Sequence, residues 1–208
     1  MIDFNAQAAT WDDDPAKRDR ALRVAAAIER EVALTPDTRG LEYGCGTGLV
    51  GFALAPHVGS LVLADSSPGM LEVLRRKIEA TGAAAGHLTA MQLDLLGDPL
   101  PAERFDLVFT SMVLHHVRDV PRVLDAFARL LVPGGSLCIA DLDAEDGSFH
   151  GPDVTDVHRG FERGWLQGQL QATGLVDVRF STLCEIHKET AAGERTFPVF
   201  FVACRTPR

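Results

Sequence analysis

The sequence predicts an α/β fold: a mostly parallel sheet of seven strands, helices on both faces, and an antiparallel hairpin at the end. Three observations predict it. Apolar strand-like runs alternate with helix-like segments, as is typical of a parallel sheet covered on both faces. The last two apolar runs are joined by a polar connection too short for a parallel crossover. A glycine-rich turn follows the first run and leads into a helix-compatible stretch.

The helices are predicted from start signals, stop signals and apolar spacing. In the N-terminal helix, Leu22, Ala25, Ile28 and Val32 recur at helical spacing. Ser67-Pro68 and Asp119 are start signals, and Pro133-Gly134-Gly135 is a stop signal. We expect helices over 15–32, 49–55, 68–78, 119–130 and 162–173, and strands over 41–43, 61–64, 88–93, 105–111, 136–140, 176–186 and 197–204.

Composition limits the classes of function. The 208 residues suffice for one domain with a full core, and we predict a single domain over 1–208. A net charge of −9 argues against a nucleic-acid surface, which needs a basic face. The acidic N-terminus does not resemble a signal peptide, and no apolar run approaches the roughly 20 residues of a membrane span. Four cysteines without C-x-x-C spacing predict free thiols in a cytoplasmic protein, and the excess of arginine over lysine points to a bacterial source.

The most informative segment is Leu41–Gly48, which reads Leu-Glu-Tyr-Gly-Cys-Gly-Thr-Gly and is followed by Asp65, 21 positions after Gly44. Glycines allow a ligand to approach the backbone, and a carboxylate about 20 residues later suits ribose hydroxyls. The dinucleotide fingerprint requires glycine at 49, where the chain has leucine. Glu42 suits a ligand ammonium group better than a pyrophosphate. The alternative is an ordinary glycine-rich loop in another α/β domain.

The run resembles the E/D-x-G-x-G-x-G motif of the class I S-adenosylmethionine-dependent methyltransferases, and the resemblance extends from about residue 41 to 205. It implies a Rossmann-like core over 39–208, a cofactor that leaves as S-adenosylhomocysteine, and a small-molecule acceptor with an O, N, S or C nucleophile. It leaves monomer and homodimer open.

Polar residues end five predicted strands, where ligands lie in open α/β sheets. The resemblance implies that Glu42 and the turn hold the methionine part and that the carboxylate after the second strand holds the ribose. The adenine would lie among residues after the second and third strands, and Thr110 would face the methionine part through its backbone. The implied cofactor residues are Trp11, Glu42, Gly44, Cys45, Gly46, Asp65, Ser66, Met70, Asp94, Leu95 and Thr110. The alternative for Asp94 is a strand-end turn residue.

The N-terminal segment, Phe4 to Asp12, resembles the Phe-Asp-x-x-Ala-x-x-Tyr/Trp-Asp lead-in of small-molecule members such as quinone methyltransferases, with Asn5 where the family often has aspartate. The resemblance implies that residues 1–38 form a lid and helix over the cofactor, with Trp11 and either Lys17 or Arg18 facing it. A solvated terminus is the alternative reading.

The candidate catalytic residues are His115, His116 and Asp141. The histidine pair follows the central strand, as in many small-molecule methyltransferases, and one histidine there would act as general base. Asp141 ends the next strand and would orient a histidine or bind substrate. Alternatively, one histidine caps the next helix and the other packs in the core.

The acidic loop 141–159 does not match an EF-hand, because its glycine at 147 is not the sixth residue counted from Asp141. A looser divalent-metal site would use Asp141, Asp143, His150 and His158, but such charge runs are usually solvated, and we expect no metal.

Three rival functions are kept. A nucleic-acid or protein amino-methylating enzyme would show [Asn/Asp]-Pro-Pro-[Tyr/Phe] after the central strand, where this chain has Thr-Ser-Met-Val from Thr110. A nicotinamide-dependent oxidoreductase is disfavoured by Leu49. A non-catalytic S-adenosylmethionine-binding module stays open, because no residue is demonstrably catalytic from sequence.

Overall fold

The structure, a computed structural model, describes residues 3–151, 154–191 and 193–208. Two residues of the acidic loop, 152 and 153, therefore lie outside the described part. The helices are α1 Phe4–Gln7, α2 Pro15–Glu31, α3 Leu49–Leu54, α4 Pro68–Thr81, α5 Val120–Leu130 and α6 Arg163–Ala172. The strands are β1 Arg39–Tyr43, β2 Ser60–Asp65, β3 Leu88–Gln92, β4 Phe105–Ser111, β5 Leu131–Leu142, β6 Val176–Thr190 and β7 Gly193–Arg205. Short 3₁₀ turns cover Ala8–Asp13, Ala55–His57, Gly82–Ala85 and Leu114–His116.

The seven strands form one sheet in the order β3-β2-β1-β4-β5-β7-β6. Strands β1 to β5 are parallel, β7 is antiparallel to β5, and β6 is antiparallel to β7. The predicted parallel sheet and terminal hairpin are both confirmed. The order reverses between β1 and β4, and such a switch point opens a crevice at the carboxyl ends of the strands.

Helices cover both faces of the sheet, as predicted. Buried side chains of α2, α3 and α4 pack on one face, with Leu63 and Phe109 as strand partners. Those of α5 and α6 pack on the other, against Leu41 and Val108. Alternate residues of a strand point to opposite faces, so each central strand contributes to both cores. Because both faces are covered, ligand access is left at the strand ends.

Capping residues fix where three helices begin. Asp14, Ser67 and Asp119 each accept a hydrogen bond from a backbone N–H in the first turn, and proline follows in the first or second helical position. The starts predicted at Ser67 and Asp119 are therefore confirmed. Among the described residues, no helix has the length and apolar character needed to cross a membrane.

Two local predictions are wrong. Leu22 was placed on the apolar face of the N-terminal helix, but it is 61% exposed, and the buried side runs through Ala21, Val24 and Ile28. Pro133-Gly134-Gly135 was expected to separate a helix from a strand. The helix has already ended at Leu130, and the three residues lie within β5, where they accommodate a register shift against β4.

Candidate functional site

A cavity of about 940 Å³ opens at the carboxyl ends of the central strands. It falls within the roughly 300–1,000 Å³ of small-molecule sites. One end, here the acidic end, is lined by Glu42, Asp65 and Asp94. The other, here the histidine end, is lined by His115, His116 and His150. The cavity therefore places two chemically different surfaces in one crevice.

The glycine turn after β1 forms the floor of the acidic end. Gly44 has a φ of 68°, a conformation that residues with a Cβ rarely adopt. A Cβ at Gly44 would also lie 2.4 Å from a methyl carbon of Val113. Glycine at 44 thus satisfies both a backbone and a packing requirement, and the turn can come close to a ligand.

Asp65, at the end of β2, is held by the turn that it faces. Its carboxylate accepts hydrogen bonds from the N–H of Gly46 at 2.7 Å and of Ser67 at 2.8 Å. Burial raises its pKa, although these hydrogen bonds act in the opposite direction. The N–H of Cys45 donates to the carbonyl of Ala64. In this structure the N–H groups of Cys45 and Gly46 are thus engaged within the protein, and Asp65 braces the turn while lining the cavity.

Glu42 is a buried carboxyl group that lines the cavity, and its side-chain atom Oε2 has no hydrogen-bond partner among the described residues. Burial raises its pKa to about 8, so the group is mostly neutral at pH 7. Cys45 beside it is also buried, and burial raises the pKa of its thiol well above the usual value. The acidic end therefore contains an acid with one unpartnered oxygen, suited to a cation, and burial favours the protonated, weakly nucleophilic form of Cys45.

The N-terminal segment packs against the glycine turn and helix α4. Asp12 bonds to the hydroxyl of Thr47, and its carboxylate pairs with Lys77 at 2.7 Å. Trp11 lines the cavity beside Gly46, and the Lys17 ammonium lies 3.5 Å from the centre of its ring. Arg18 instead donates to the carbonyl of Asp12 and is exposed. Lys17 is thus the basic residue that faces the cavity here.

Asn5, which departs from the family pattern, ties the segment to helix α4. Its side-chain oxygen accepts hydrogen bonds from the Ser67 hydroxyl at 2.8 Å and from the N–H of Gly69 at 2.9 Å. An aspartate oxygen would accept in the same way. The departure from the pattern therefore preserves the contact.

Most of the expected cofactor residues line the cavity, and two do not. Ser66, Met70 and Asp94 lie on its wall, although Asp94 also makes the strand-end turn by accepting from the N–H of Leu96. Leu95 is buried behind the wall, and Leu96, the next residue of the turn that follows β3, takes the cavity position. Thr110 is also buried, and its hydroxyl donates to the Tyr43 carbonyl at 2.8 Å. Ser111 and Met112 line the cavity beside it.

His115 and Asp141 form a buried pair at the histidine end. The distance between His115 Nδ1 and Asp141 Oδ1 is 2.6 Å, and the exposed fractions of the two residues are 1% and 0%. Burial alone would raise the pKa of Asp141, but the attraction of His115 and hydrogen bonds from His115 and from the Leu142 N–H bring it below the usual value. Asp141 is then an acceptor, so Nδ1 carries a proton, and in the neutral ring Nε2 is the nitrogen with the lone pair. Asp141 itself does not line the cavity.

His116 and His150 stack around His115, with ring centres 4.0 Å and 5.1 Å from it. Burial and the charge of His115 lower the pKa of His116 to about 3. Burial and the charges of His115 and Lys188 lower the pKa of His150 to about 4. Both rings are therefore neutral at pH 7 and are weak proton acceptors. His115, with its carboxylate partner, differs from both.

The loose metal set from the acidic loop is not assembled. Asp141 pairs with His115, Asp143 with Arg163 at 2.6 Å, and His158 Nε2 lies 2.8 Å from the Val117 carbonyl. Within the described ranges, the three histidines of the cavity bring ligand atoms within 4.8 Å of one another. A tetrahedral zinc site needs donor atoms about 3.4 Å apart, so the rings would have to close before holding an ion.

Sequence reasoning missed Arg20, Met112, Phe149 and Lys188, which all line the cavity. Met112 has a φ of 58°, an uncommon conformation for a residue with a side chain. No sequence signal marks it. Arg20 carried a usable signal, because it lies one turn before Val24 on the buried side of α2, where a charge is unexpected.

Comparison with known proteins links this geometry to one family. Residues 41–139 match the family described as "Methyltransferase domain". The matched segment begins at β1 and ends within β5, so it includes the glycine turn, Asp65 and the histidine pair.

Two relatives carry names from quinone metabolism. A demethylmenaquinone methyltransferase of Clavibacter sepedonicus is 34% identical over 144 residues, which is 69% of this chain and 54% of the relative. A ubiquinone biosynthesis O-methyltransferase of Dinoroseobacter shibae is 32% identical over 166 residues, 72% of this chain and 65% of the relative. The matches to the first four relatives span 41–65% of those proteins' own lengths.

The fold is shared with solved structures. The N-methyltransferase NodS from Bradyrhizobium japonicum, in complex with S-adenosyl-L-homocysteine, superposes with a TM-score of 0.68 at 22% identity. The superposition covers 95% of this chain and 90% of NodS. At that identity the likeness concerns the fold.

Proposed function

Because the chain belongs to the class I S-adenosylmethionine-dependent methyltransferases, we propose that it transfers a methyl group to a hydroxyl group of a small aromatic molecule. The proposal depends most on one observation, the buried His115–Asp141 pair at the cavity wall. The cofactor, when bound, supplies the electrophilic methyl group. The remaining question is what this chain's own residues do.

The residues of the acidic end fit the cofactor. The unpartnered Oε2 of Glu42 would accept a hydrogen bond from the ammonium group of the methionine part, which gives a buried acid its missing partner. Asp65 keeps lone pairs for the ribose hydroxyls while it braces the turn. Trp11 closes the floor from the N-terminal side. Lys17, close to Trp11, would pair with the cofactor's carboxylate.

His115 would be the general base. Asp141 holds Nδ1–H and so fixes the ring tautomer and orientation, which makes Asp141 a positioning residue. Nε2 would take the proton of the acceptor hydroxyl; the bound cofactor would supply the methyl carbon, whose bond to sulfur breaks as the bond to the acceptor oxygen forms, and would leave as S-adenosylhomocysteine. His116, with its pKa lowered to about 3, is unsuited to this step. A positioned base contributes about 10²–10⁴-fold to rate, and the cavity walls contribute by aligning the two reactants.

Two observations favour an aromatic hydroxyl as the acceptor. Aromatic rings, Phe4, Trp11 and Phe149, line the cavity together with the histidine cluster, and flat rings pack well against such a surface. The relatives named above include an O-methyltransferase of ubiquinone biosynthesis. A hydroxyl is protonated at neutral pH, which is the case in which a base is needed.

The test is formation of S-adenosylhomocysteine with catechol and 3,4-dihydroxybenzoate as acceptors. We expect His115→Ala to lower kcat about 10²–10⁴-fold and to leave the Kd for S-adenosylhomocysteine within about twofold. Asp141→Asn should lower kcat and shift the pH profile, since the tautomer is no longer fixed. His116→Ala is the matched control, because it removes a neighbouring imidazole without removing the pair.

Full turnover in His115→Ala would show that His115 is not the general base. Tight binding of S-adenosylhomocysteine with no turnover of any acceptor would instead favour the non-catalytic cofactor-binding module.

A further inference from the structure

Arg20 is a cation without a partner at the cavity wall. It lies on α2, is partly buried, and makes no hydrogen bond or ion pair within the described part of the chain. Burial lowers the pKa of its guanidinium, whereas the charges of Cys184, Asp14 and Asp141 act in the opposite direction. An arginine remains charged at neutral pH even so.

Such an arrangement costs free energy in the ligand-free protein. Removing a guanidinium from water is unfavourable unless hydrogen bonds or an opposite charge replace the water. Other arginines of this chain are paired: Arg163 contacts Asp143 at 2.6 Å, and Arg179 contacts Glu31 at 3.0 Å. Arg20 differs from these in lining the cavity with its five donors uncommitted to any described residue, and it differs from the exposed Arg118 of the same cavity in being partly buried.

The position of Arg20 assigns it to the histidine end. Its charge interacts with Asp141 at the end of β5 and with Cys184 on β6, and both strands lie on the far side of β4 from the glycine turn. Lys17, one turn earlier on α2, lies instead over Trp11 beside Gly46. Lys17 and Arg20 are neighbours on α2 and their charges interact, but Lys17 is the one that contacts Trp11 beside the expected methionine part.

A second cation borders the same end. Lys188 of β6 lines the cavity, bonds to the carbonyl of Phe149 at 2.5 Å, and lies 4.8 Å from the centre of that ring. Of the acids near this end, Asp141 is committed to His115, and Asp156 lines the cavity and has a partner of its own. The histidine end thus contains neutral imidazole rings and, beside them, the positive charge of Arg20, which no described residue pairs with.

We propose that Arg20 binds an oxyanion of the methyl acceptor, a carboxylate or a phosphate, and so selects acidic acceptors. The proposal rests on the proposed function, since it assigns the acceptor to the histidine end. A guanidinium matches both anions through two parallel hydrogen bonds. An aromatic acid that carries a hydroxyl would place its anion on Arg20 and its hydroxyl towards His115.

The test uses binding and not turnover, so it can fail separately from the base assignment. Protein saturated with S-adenosylhomocysteine is titrated calorimetrically with benzoate, phenyl phosphate and benzamide. We expect benzoate or phenyl phosphate to bind at least about tenfold more tightly than neutral benzamide. Whichever of the two binds more tightly shows whether the acceptor's oxyanion is a carboxylate or a phosphate. Arg20→Gln should remove that preference and weaken anion binding about 10- to 100-fold. Arg20→Lys should retain part of it.

Arg118→Gln is the matched control, because Arg118 is an exposed arginine on the same cavity. The Arg118→Gln variant should bind anions more tightly than benzamide by the same factor as the natural protein. The melting temperature of ligand-free Arg20→Gln should be equal or higher, because the variant removes an unpaired cation. Equal binding of benzoate and benzamide to the natural protein would overturn the proposal. So would a tenfold loss of S-adenosylhomocysteine affinity in Arg20→Gln, which would assign Arg20 to the cofactor's carboxylate.

Discussion

The two ends of the cavity are built in opposite ways. The acidic end comes mostly from one stretch of chain, residues 42–70, in which a strand, a turn, a helix and a second strand follow directly. The histidine end combines Arg20, His115, Asp141 and His150, which are brought together by the order of the sheet. A contiguous end leaves a motif in the sequence, whereas an end assembled by topology leaves isolated residues.

Each end also contains an ionisable side chain with polar atoms that no described residue partners, buried at the acidic end and partly buried at the histidine end, and the two carry opposite signs when charged. At the acidic end it is Glu42, which is neutral until a cation arrives. At the histidine end it is Arg20, which stays charged. Unpaired groups of this kind cost stability and are retained where a ligand supplies the partner. The two ends should therefore respond separately to substitution.

The largest expected effect at the acidic end comes from Gly44→Ala. The added Cβ meets Val113 at 2.4 Å in a backbone conformation that alanine disfavours. We expect the Kd for S-adenosylhomocysteine to rise more than about 100-fold, with a lower melting temperature. Gly174→Ala is the control, because Gly174 has a φ of 85° and open space around it. An equal loss of S-adenosylhomocysteine affinity in both variants would mean that backbone strain, and not the shape of the turn, is responsible.

A smaller effect is expected from Asp65→Ala. Loss of charge-assisted hydrogen bonds to the ribose should weaken cofactor binding by about 1.5–3 kcal/mol. Because Asp65 also braces Gly46 and Ser67, the melting temperature should fall slightly as well. The comparison predicts that binding of benzoate to the cofactor-loaded variant is unchanged. Unchanged cofactor affinity in a folded variant would show the ribose assignment to be wrong.

The smallest effect is a pH dependence at Glu42. Its pKa of about 8 in the ligand-free protein means that the carboxyl is mostly neutral below pH 8 and charged above it. An ammonium ligand favours the charged form, whose share rises about 50-fold between pH 6 and pH 8, so cofactor affinity should rise over this range by up to about 50-fold. Glu42→Gln should remove this rise and leave only the titration of the ligand's own amino group. A pH profile identical in the two proteins would exclude Glu42 from ammonium binding.

Sequence reasoning predicted the parallel sheet and the polar residues at its strand ends, but not the position of every side chain. It identified Glu42, Gly44 and Asp65, because a glycine turn and a strand-end acid are local features. It placed Leu95 at the cavity, where Leu96 lies instead, because the two residues lie in a turn whose side-chain directions the sequence does not give. The predicted backbone role of Thr110 is compatible with its buried side chain and stays a prediction. Sequence reasoning offered Asp141 as a residue that orients a histidine, and the structure shows that its partner is His115, 26 residues away. It did not show that His150 lies beside His115, with ring centres 5.1 Å apart.

The central claim is that cofactor and acceptor occupy separate ends of one cavity, and a crystal structure with S-adenosylhomocysteine and benzoate tests it most directly. The account predicts the ammonium at Oε2 of Glu42, the ribose on Asp65, the sulfur directed towards His115, and benzoate on Arg20. The cofactor's carboxylate on Arg20, or a sulfur directed away from His115, would contradict it.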